Sequence, residues 1–421
     1  MAKERIGVMG GTFNPIHAGH VQMALCAMET AKLTSVLVVP SGNPPHKSGV
    51  APAEDRWRMV CAACAPHKQL TPSRVEIDRA GLIYTVDTLS ILKEKHPQAE
   101  FFYMIGTDTL MELRTWRRID DVLKMCTFLV CPRQCKHTPE QQQQEELRLT
   151  RLGGQFIHVD APMVDISSTQ VRSALSSEDD ALTACLPPPV LAYCRLSGLY
   201  GSPDRPDIPK AWLGLVFRAL TPARYAHTLS VAHSARRLAI IHGANVADAE
   251  IAGLLHDCAK CMPLEDMQRL ARYAHLPDDP EMLASPALLH AGVGAYLAQH
   301  IYGVSRQEIL DAIACHTTGK PDMTTLDMIV YLADKIELTR SPYPLLEKVR
   351  QQAETSLARA MLLSMEGTAD HVKKGGKKLH PSSLRTLKWL KKQVRQEEKQ
   401  AAKEAAKSKK ATKKQKKQTN E

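Results

Sequence analysis

Two histidines lie three residues apart in a glycine-rich segment, residues 10–20 (GGTFNPIHAGH). The segment follows a short apolar stretch and precedes a helical pattern, which predicts a turn between the first strand and the first helix. Glycines at such a turn let backbone N–H groups approach an anion, and the helix N-terminus adds positive potential. His17 and His20 can donate hydrogen bonds to phosphate oxygens there, although two histidines alone are more often structural. The whole segment predicts a triphosphate site.

A second polar segment, residues 166–172 (ISSTQVR), places three hydroxyl side chains just before a predicted helix. Such hydroxyls ordinarily cap a helix N-terminus. A capped N-terminus is also an anion site, and Arg172 follows one turn later with a guanidinium fork suited to phosphate. This segment is therefore a second candidate for phosphate binding.

Together the two segments resemble the GxFxPxHxGH and ISSTxxR motifs of the cytidylyl/adenylyltransferase superfamily. The resemblance implies a Rossmann-like α/β fold and nucleotidyl transfer, with the second motif closing over the β- and γ-phosphates of ATP. Three more strings, residues 43–47 (NPPHK), 84–89 (YTVDTL) and 105–108 (IGTD), are similar to those of nicotinate-nucleotide adenylyltransferases over residues 3–198. They disfavour phosphopantetheine or a cytidylyl acceptor as substrate.

That resemblance implies a reaction in which the phosphate of nicotinate mononucleotide attacks the α-phosphorus of ATP, with Mg²⁺ bound to the ATP. The implied catalytic residues are His17, His20, Lys47 and Arg172. The implied ligand-binding residues are Gly10, Gly11, Thr12, Phe13, Asn14, Thr85, Gly106, Asp108, Trp116, Arg133, Ser167, Ser168 and Thr169. Trp116 can stack on a nicotinate ring, or it can be an ordinary half-buried packing residue.

The second half of the chain carries an ordered set of imidazoles and carboxylates: His227, His256, Asp257, His290, His316 and Asp334. Imidazole and carboxylate ligands together suit Fe, Mn, Zn or Mg and leave positions open for water and substrate. A single histidine among the 17 in the chain means little, but the adjacent pair His256-Asp257 within the set is more specific. The set predicts a metal site between helices.

This order of residues resembles the HD phosphohydrolase superfamily, and the surrounding strings over residues 211–370 are similar to YqeK-type HD hydrolases. The resemblance implies hydrolysis of diadenosine tetraphosphate to two ADP. It implies that four residues hold iron or another divalent transition metal: His227, His256, Asp257 and Asp334. His290 and His316 would contact substrate phosphate or a second ion, one of them protonating the leaving group, and Arg224 and Arg340 would clamp phosphate. A nucleotide-sensing regulatory module, or a hydrolase for another nucleotide, is the alternative.

The elements that must position these residues differ between the two halves. Strands are predicted at Ile6–Met9, Val36–Pro40, Val75–Ile77, Phe101–Ile105, Thr127–Val130 and Phe156–Val159. Helices are predicted between them at Val21–Lys32, Glu54–Cys64 and Thr85–His96, with a solvated loop or helix at 139–148. This alternation predicts a parallel sheet. Beyond residue 210 apolar residues recur at intervals of three and four residues, which predicts an all-α domain. His256 and Asp257 are predicted to lie on a helix Ile251–Lys260.

Length and charge complete the sequence-based picture. The 421 residues predict two domains: 1–198 and 211–390, joined by a linker 199–210 and followed by a basic, frayed or disordered tail 391–421. The tail accounts for +8 of the net charge of +10, so we expect nucleic-acid contact to be weak at most. The eleven cysteines, with Cys61 and Cys64 expected only to pack, and the lack of a long apolar stretch predict a cytoplasmic protein without membrane contact. The sequence does not indicate the oligomeric state.

Overall fold

The chain divides into two compact units, each described separately below. The computed structural model describes residues 3–43, 49–162, 166–177, 179–202, 205–376 and 378–418. The N-terminal unit contains residues 1–205 together with 222–226, and the C-terminal unit contains 206–221 and 227–421.

The N-terminal unit is an α/β domain, as the alternating pattern predicts. Its strands are β1 (Arg5–Gly11), β2 (Ser35–Pro40), β3 (Leu70–Pro72), β4 (Glu100–Gly106), β5 (Thr127–Cys131) and β6 (Gln155–His158). Its helices are α1 (Ala18–Ala31), α2 (Ala53–Cys64), α3 (Thr85–Lys95), α4 (Thr107–Leu110), α5 (Ile119–Met125), α6 (Pro139–Arg151), α7 (Ser168–Ser177), α8 (Asp180–Thr183) and α9 (Pro188–Ser197). Within the described residues the strands form one sheet in the order β3-β2-β1-β4-β5-β6, and every neighbouring pair is parallel.

The strand order reverses between β1 and β4, which pair directly. In a doubly wound sheet, ligands bind beyond the carboxyl ends of the strands at such a reversal. The carboxyl end of β1 needs glycine for steric reasons, because a Cβ at Gly10 would lie 2.5 Å from the Tyr103 hydroxyl on β4. The glycine-rich segment therefore begins where the fold leaves an open crevice.

Two sequence predictions about elements are wrong. Residues 75–78 form a turn, and the edge strand lies earlier, because the residues that pair with β2 are Leu70–Pro72. Val75 is nevertheless buried in the core, which explains its apolar character. The predicted helix Ile251–Lys260 ends at Leu255, so His256 and Asp257 lie in the turn that follows it.

The C-terminal unit is helical throughout its described part. Its helices are α10 (Ala211–Ala219), α11 (Pro222–His242), α12 (Val246–Leu255), α13 (Leu264–Tyr273), α14 (Pro280–Leu283), α15 (Pro286–His300), α16 (Gln307–Cys315), α17 (Thr325–Ile336), α18 (Leu346–Ala353), α19 (Leu357–Lys374) and α20 (Pro381–Gln418). The first turn of α11, residues 222–226, is grouped with the N-terminal unit. Most of these helices contribute apolar residues to the buried core of the unit.

The basic tail continues the last helix. The backbone of residues 391–418, predicted as a frayed helix or a disordered segment, is part of α20. Contacts with the domain extend past residue 390, since Ser356 donates a hydrogen bond of 2.8 Å to Glu397 and Lys391 pairs with Glu366 at 3.2 Å. The division at residue 390 stays a prediction. Among the described helices, none is both long and apolar enough to span a bilayer.

Candidate nucleotide cavity and candidate metal centre

A cavity of about 660 Å³ opens at the carboxyl ends of β1 and β4. This is the switch point of the sheet, and the volume falls within the range of small-molecule sites. Its walls combine residues from both phosphate motifs with side chains from β4 and the loops beyond it. The predicted residues that line it are Gly10, Gly11, Thr12, Phe13, Asn14, His20, Gly106, Trp116, Arg133, Ser167, Ser168, Thr169 and Arg172.

The two phosphate motifs contact each other directly at this cavity. Nη1 of Arg172 donates a hydrogen bond of 2.9 Å to the backbone carbonyl of Asn14, and Nη2 reaches Oγ1 of Thr169 at 3.1 Å. The Ser168 hydroxyl donates to the Pro15 carbonyl at 3.0 Å. Segments more than 150 residues apart in sequence are thus held as one wall. The N-cap bond at the start of α7 is made by Ser167, whose hydroxyl accepts from the backbone N–H of Gln170 at 3.2 Å. The phosphate role of Arg172 stays a prediction.

The rings of the two histidines in the first motif lie against each other, with centroids 3.7 Å apart and planes tilted by 38°. The backbone N–H of His17 donates to Nδ1 of His20 at 3.2 Å, so a neutral His20 carries its ring proton on Nε2. His17 is 5% exposed, and its Nδ1 has no hydrogen-bond partner in the described structure. Burial and the nearby Arg133 guanidinium lower the pKa of His17 to about 4. His17 is therefore a neutral hydrogen-bond donor at pH 7. It lines a smaller cleft that adjoins the cavity.

The candidate metal centre in the C-terminal unit contains four buried histidines from separate elements. Three of them place Nδ1 against a backbone carbonyl: His256 on Gly253 at 2.7 Å, His290 on Pro286 at 2.9 Å, and His316 on Ile313 at 2.7 Å. A carbonyl only accepts, so each Nδ1 carries a proton, and in a neutral ring each Nε2 presents a lone pair.

These Nε2 atoms converge on carboxylates. The atoms of His290 and His316 lie 3.1 Å apart and 3.0 and 3.7 Å from Oδ1 of Asp257. The other oxygen, Oδ2, lies 3.4 Å from Nε2 of His256 and 3.9 Å from Nε2 of His227. Two ligand groups therefore meet at one carboxylate: His227, His256 and Asp257, and Asp257, His290 and His316. Lone pairs and anions at such distances repel, and a cation between them removes the repulsion.

The remaining carboxylate, Asp334 on α17, completes the first group. Its Oδ1 lies 3.0 Å from Nε2 of His227 and 3.9 Å from Nε2 of His256. Burial would raise the pKa of Asp334, but the neighbouring Lys335 and the histidines hold it well below its ordinary value. Contacts with three histidines lower the pKa of Asp257 in the same way against the effect of burial. Both groups are carboxylates at neutral pH, as metal ligands must be.

Comparison with known proteins supports both halves. The family model described as Cytidylyltransferase-like matches residues 8–174, and the HD domain model matches residues 224–339. A probable nicotinate-nucleotide adenylyltransferase from Gloeobacter violaceus is 38% identical over 202 residues, which cover 48% of this chain and 98% of that protein. The chain belongs to the nicotinate-nucleotide adenylyltransferase family.

Two further proteins are similar to this chain, one over most of its length and the other over a shorter part. A Mycoplasma pneumoniae protein, described as a probable nicotinate-nucleotide adenylyltransferase/Ap4A hydrolase, is 29% identical over 335 residues, 79% of this chain and 88% of its own. A Clostridium acetobutylicum structure, described as a predicted HD superfamily hydrolase involved in NAD metabolism, is 33% identical; the match covers 43% of this chain and 96% of that one, with a TM-score of 0.42. The protein is an enzyme in which an HD domain follows the adenylyltransferase domain.

Several predicted residues of the adenylyltransferase domain lie just behind the cavity wall. Asp108 is paired with the cavity residue Arg133 at 3.5 Å. Thr85 hydrogen-bonds the hydroxyl of Tyr103, and that tyrosine does line the cavity. Trp116 lines the cavity and packs edge-on against Tyr103 with ring centroids 5.8 Å apart, so it is a packing residue, and its stacking on a nicotinate ring stays a prediction. Lys47 lies outside the described residues, so its role stays a prediction.

Arg56 on α2 is a residue of the adenylyltransferase domain that sequence reasoning missed. Its guanidinium is 1% exposed and donates to the carbonyls of Ala51, Thr12, Ser41 and Gly42 at 2.6–3.0 Å. These carbonyls belong to the loops beyond β1 and β2, so one buried cation fastens both loops beside the cavity. Nothing in a helical string of ordinary composition distinguishes an arginine that turns inward, and the fold alone reveals it.

Glu337 was also missed, although it stands three residues after Asp334. It is 2% exposed, and its Oε1 lies 3.1 Å from Nδ1 of His227. Its Oε2 accepts from the backbone and the hydroxyl of Thr339 at 2.6 and 2.7 Å. Glu337 therefore fixes the imidazole of His227 with Nε2 toward the centre. The spacing of three on a helix was the available signal.

The two predicted arginine clamps of the HD domain are placed differently. Nη2 of Arg340 lies 3.6 Å from Oδ1 of Asp334, so it borders the metal centre. Arg224 lies in the first turn of α11, in the residues grouped with the N-terminal unit, and its role as a clamp stays a prediction.

Proposed function

We propose that the N-terminal unit transfers the AMP of ATP to nicotinate mononucleotide and forms nicotinate adenine dinucleotide. A phosphate oxygen of the mononucleotide attacks the α-phosphorus, the bond from that phosphorus to the β-phosphate bridging oxygen breaks, and pyrophosphate leaves with the electron pair. The attacking phosphate is already an anion at neutral pH, so no general base is required. Mg²⁺ that accompanies ATP would neutralise phosphate charge. What this chain supplies is positioning and hydrogen-bond donors.

The observation that carries this proposal is the junction of both phosphate motifs at the β1–β4 switch point. Arg172 and the N-terminus of α7 face the same cavity as the glycines of β1 and the imidazole of His20. These groups can receive the β- and γ-phosphates as the charge on the leaving pyrophosphate grows. Neutral His17 contributes as a hydrogen-bond donor rather than as a cation, and His20 can donate through Nε2. Trp116 and Tyr103 leave an aromatic wall for the nicotinate ring.

Turnover of two substrates tests this assignment. We expect nicotinate mononucleotide to be used with a higher kcat/KM than nicotinamide mononucleotide, a difference that family resemblance implies. His20→Ala should lower kcat by about 10²–10³-fold, the loss typical of one donor to developing charge. Equal use of both mononucleotides would contradict the substrate assignment, and wild-type turnover by His20→Ala would contradict the site.

We propose further that the HD domain hydrolyses a phosphoanhydride of a dinucleoside polyphosphate, with diadenosine tetraphosphate giving two ADP. The donors present fit a divalent transition metal, because imidazole nitrogens and carboxylate oxygens from separate elements converge within one cluster. His227, His256, Asp257 and Asp334 would hold the first ion, iron or a similar metal. When bound, such an ion acidifies a water and polarises a phosphoryl oxygen.

His290 and His316 are better suited to a second ion or to phosphate than to leaving-group protonation. Each has its ring proton on Nδ1, against a carbonyl, so a neutral ring has no proton on Nε2 to give. Lys260 is a second possible proton donor at this centre. Its Nζ lies 3.1 Å from Nε2 of His290 and 3.9 Å from Oδ1 of Asp257. We propose that Lys260 neutralises charge on the departing nucleotide.

Release of ADP from diadenosine tetraphosphate in the presence of Fe²⁺ or Mn²⁺ tests the hydrolase. Asp257→Asn should abolish it and lower the bound metal, because Asp257 belongs to both ligand groups. The variant should leave adenylyl transfer unchanged. Bound metal without any nucleotide hydrolysis would favour the regulatory interpretation. We also propose a cytoplasmic location, supported by the free thiol state of all eleven cysteines.

A further inference from the structure

The C-terminal unit has a second concave feature beside the metal centre. A cavity of about 530 Å³ lies between the end of α17, the loop 338–345 and helix α19. Two of its residues also contact the metal ligand Asp334: Nζ of Lys335 lies 2.8 Å from Oδ2, and Nη2 of Arg340 lies 3.6 Å from Oδ1. The cavity and the candidate metal centre therefore share a wall.

The walls of this cavity differ in chemistry. Lys335, Arg340 and Lys374 supply positive charge, and the described structure gives Lys374 no ion-pair partner. Tyr343 and Leu345, on the same loop 338–345 as Arg340, supply aromatic and aliphatic contacts, and Asp370 adds one negative charge. Most of the exposed lining is apolar. A ligand that combines anionic groups with a flat apolar part matches these residue types.

A glycine lies where this loop approaches α19. A Cβ at Gly367 on α19 would lie 2.6 Å from Cδ1 of Leu345, so a larger residue there would have to displace the end of the Leu345 side chain where the loop packs against the helix. The loop is also fastened by the Tyr343 hydroxyl, which donates to the Lys335 carbonyl at 3.3 Å. The cavity is thus bounded by packed elements on both sides.

We propose that this cavity binds the nucleoside of one half of the dinucleotide while its phosphates extend past Arg340 and Lys335 to the metal centre. This inference rests on the proposed hydrolase function and adds the place where the base and ribose bind. The volume lies within the range of about 300–1,000 Å³ for small-molecule sites, which exceeds what phosphate groups alone require. A polyphosphate without a nucleoside would make no use of the aromatic and aliphatic residues that line the cavity.

Photolabelling of the full chain with an azido-adenine derivative of ADP, in the presence of Mn²⁺, tests the site without relying on activity. We expect label in a peptide from residues 338–374. Thr368→Trp fills the cavity from α19 and should reduce this label by about tenfold or more, whereas Lys373→Trp, an exposed neighbour that does not line the cavity, should label as the unmodified chain does. Label in the N-terminal cavity of the same sample controls for folding and probe quality.

A charge-reversal pair adds a kinetic measurement. Lys374→Glu should raise the KM for diadenosine tetraphosphate by about tenfold with bound metal unchanged, and Lys373→Glu should not. Absence of label from 338–374, or label unaffected by Thr368→Trp, would overturn the nucleoside site even if hydrolysis is observed. Label at 338–374 in a chain that releases no ADP would instead overturn the proposed reaction and leave the binding site standing.

Discussion

Nη1 of Arg172 lies 2.9 Å from the backbone carbonyl oxygen of Asn14, to which it donates a hydrogen bond. One arginine of the second phosphate motif thus holds the backbone of the first motif while its guanidinium lines the nucleotide cavity. One side chain therefore holds the first motif in place and lines the cavity in which we propose that phosphate binds.

Replacing this arginine by lysine should separate the two roles. Arg172→Lys keeps the charge but loses the planar fork that reaches Asn14 and Thr169 together. We expect kcat/KM for ATP to fall by about 10²-fold, with unfolding temperature nearly unchanged, in steady-state kinetics. Arg151→Lys on exposed α6 is the matched control. Unchanged kinetics in Arg172→Lys would mean that a point charge suffices at this position.

Arg56 should matter for both stability and ATP binding. Arg56→Met leaves four carbonyls of buried loops without their donor, and we expect a loss of about 3 kcal/mol in the unfolding free energy of the N-terminal unit. The KM for ATP should rise because the loop beyond β1 is released. Chemical denaturation and kinetics measure the two effects. Arg79→Met, at an exposed position, should change neither; equal stability of the two variants would contradict the fastening role.

The low pKa of His17 predicts proton uptake on ATP binding. In the ligand-free protein the pKa of His17 is about 4, so the ring is neutral above that pH. A nearby triphosphate stabilises the protonated ring and raises this pKa. Between about pH 4 and 6, binding should therefore take up protons, and the uptake should vanish near pH 8. Calorimetry in buffers of different ionisation enthalpy measures it, and His17→Asn should abolish it. Uptake that persists in that variant would assign the proton to another group.

Glu337 should control metal affinity through His227. Glu337→Gln keeps the shape but weakens the hydrogen bond to Nδ1 of His227 and removes a charge. We expect metal affinity to fall by about 10–100-fold, measured as metal retained during dialysis against graded chelator. Glu347→Gln, an exposed carboxylate on α18, should behave as the unmodified chain. Identical retention in both variants would show that His227 needs no support from Glu337.

Much of the local structure was predictable because it depends on neighbours in sequence. The glycine-rich turn, the capped N-terminus of α7 and the alternation of strands and helices follow from local periodicity and backbone preference. The predictions that failed were those in which tertiary packing overrode a short pattern. Val75–Ile77 is buried without being a strand, and the helix before His256 ends early so that His256 and Asp257 can reach one cluster.

The sequence alone determined the two classes of chemistry, since side-chain type limits which groups can bind phosphate or a cation. It did not determine which distant groups meet. That Arg172 holds Asn14, that Arg56 turns inward, that Glu337 supports His227 and that Lys374 shares a cavity with Arg340 were decided by packing. Such contacts join residues far apart in the chain, and their distances depend on how whole elements fit together rather than on any local spacing.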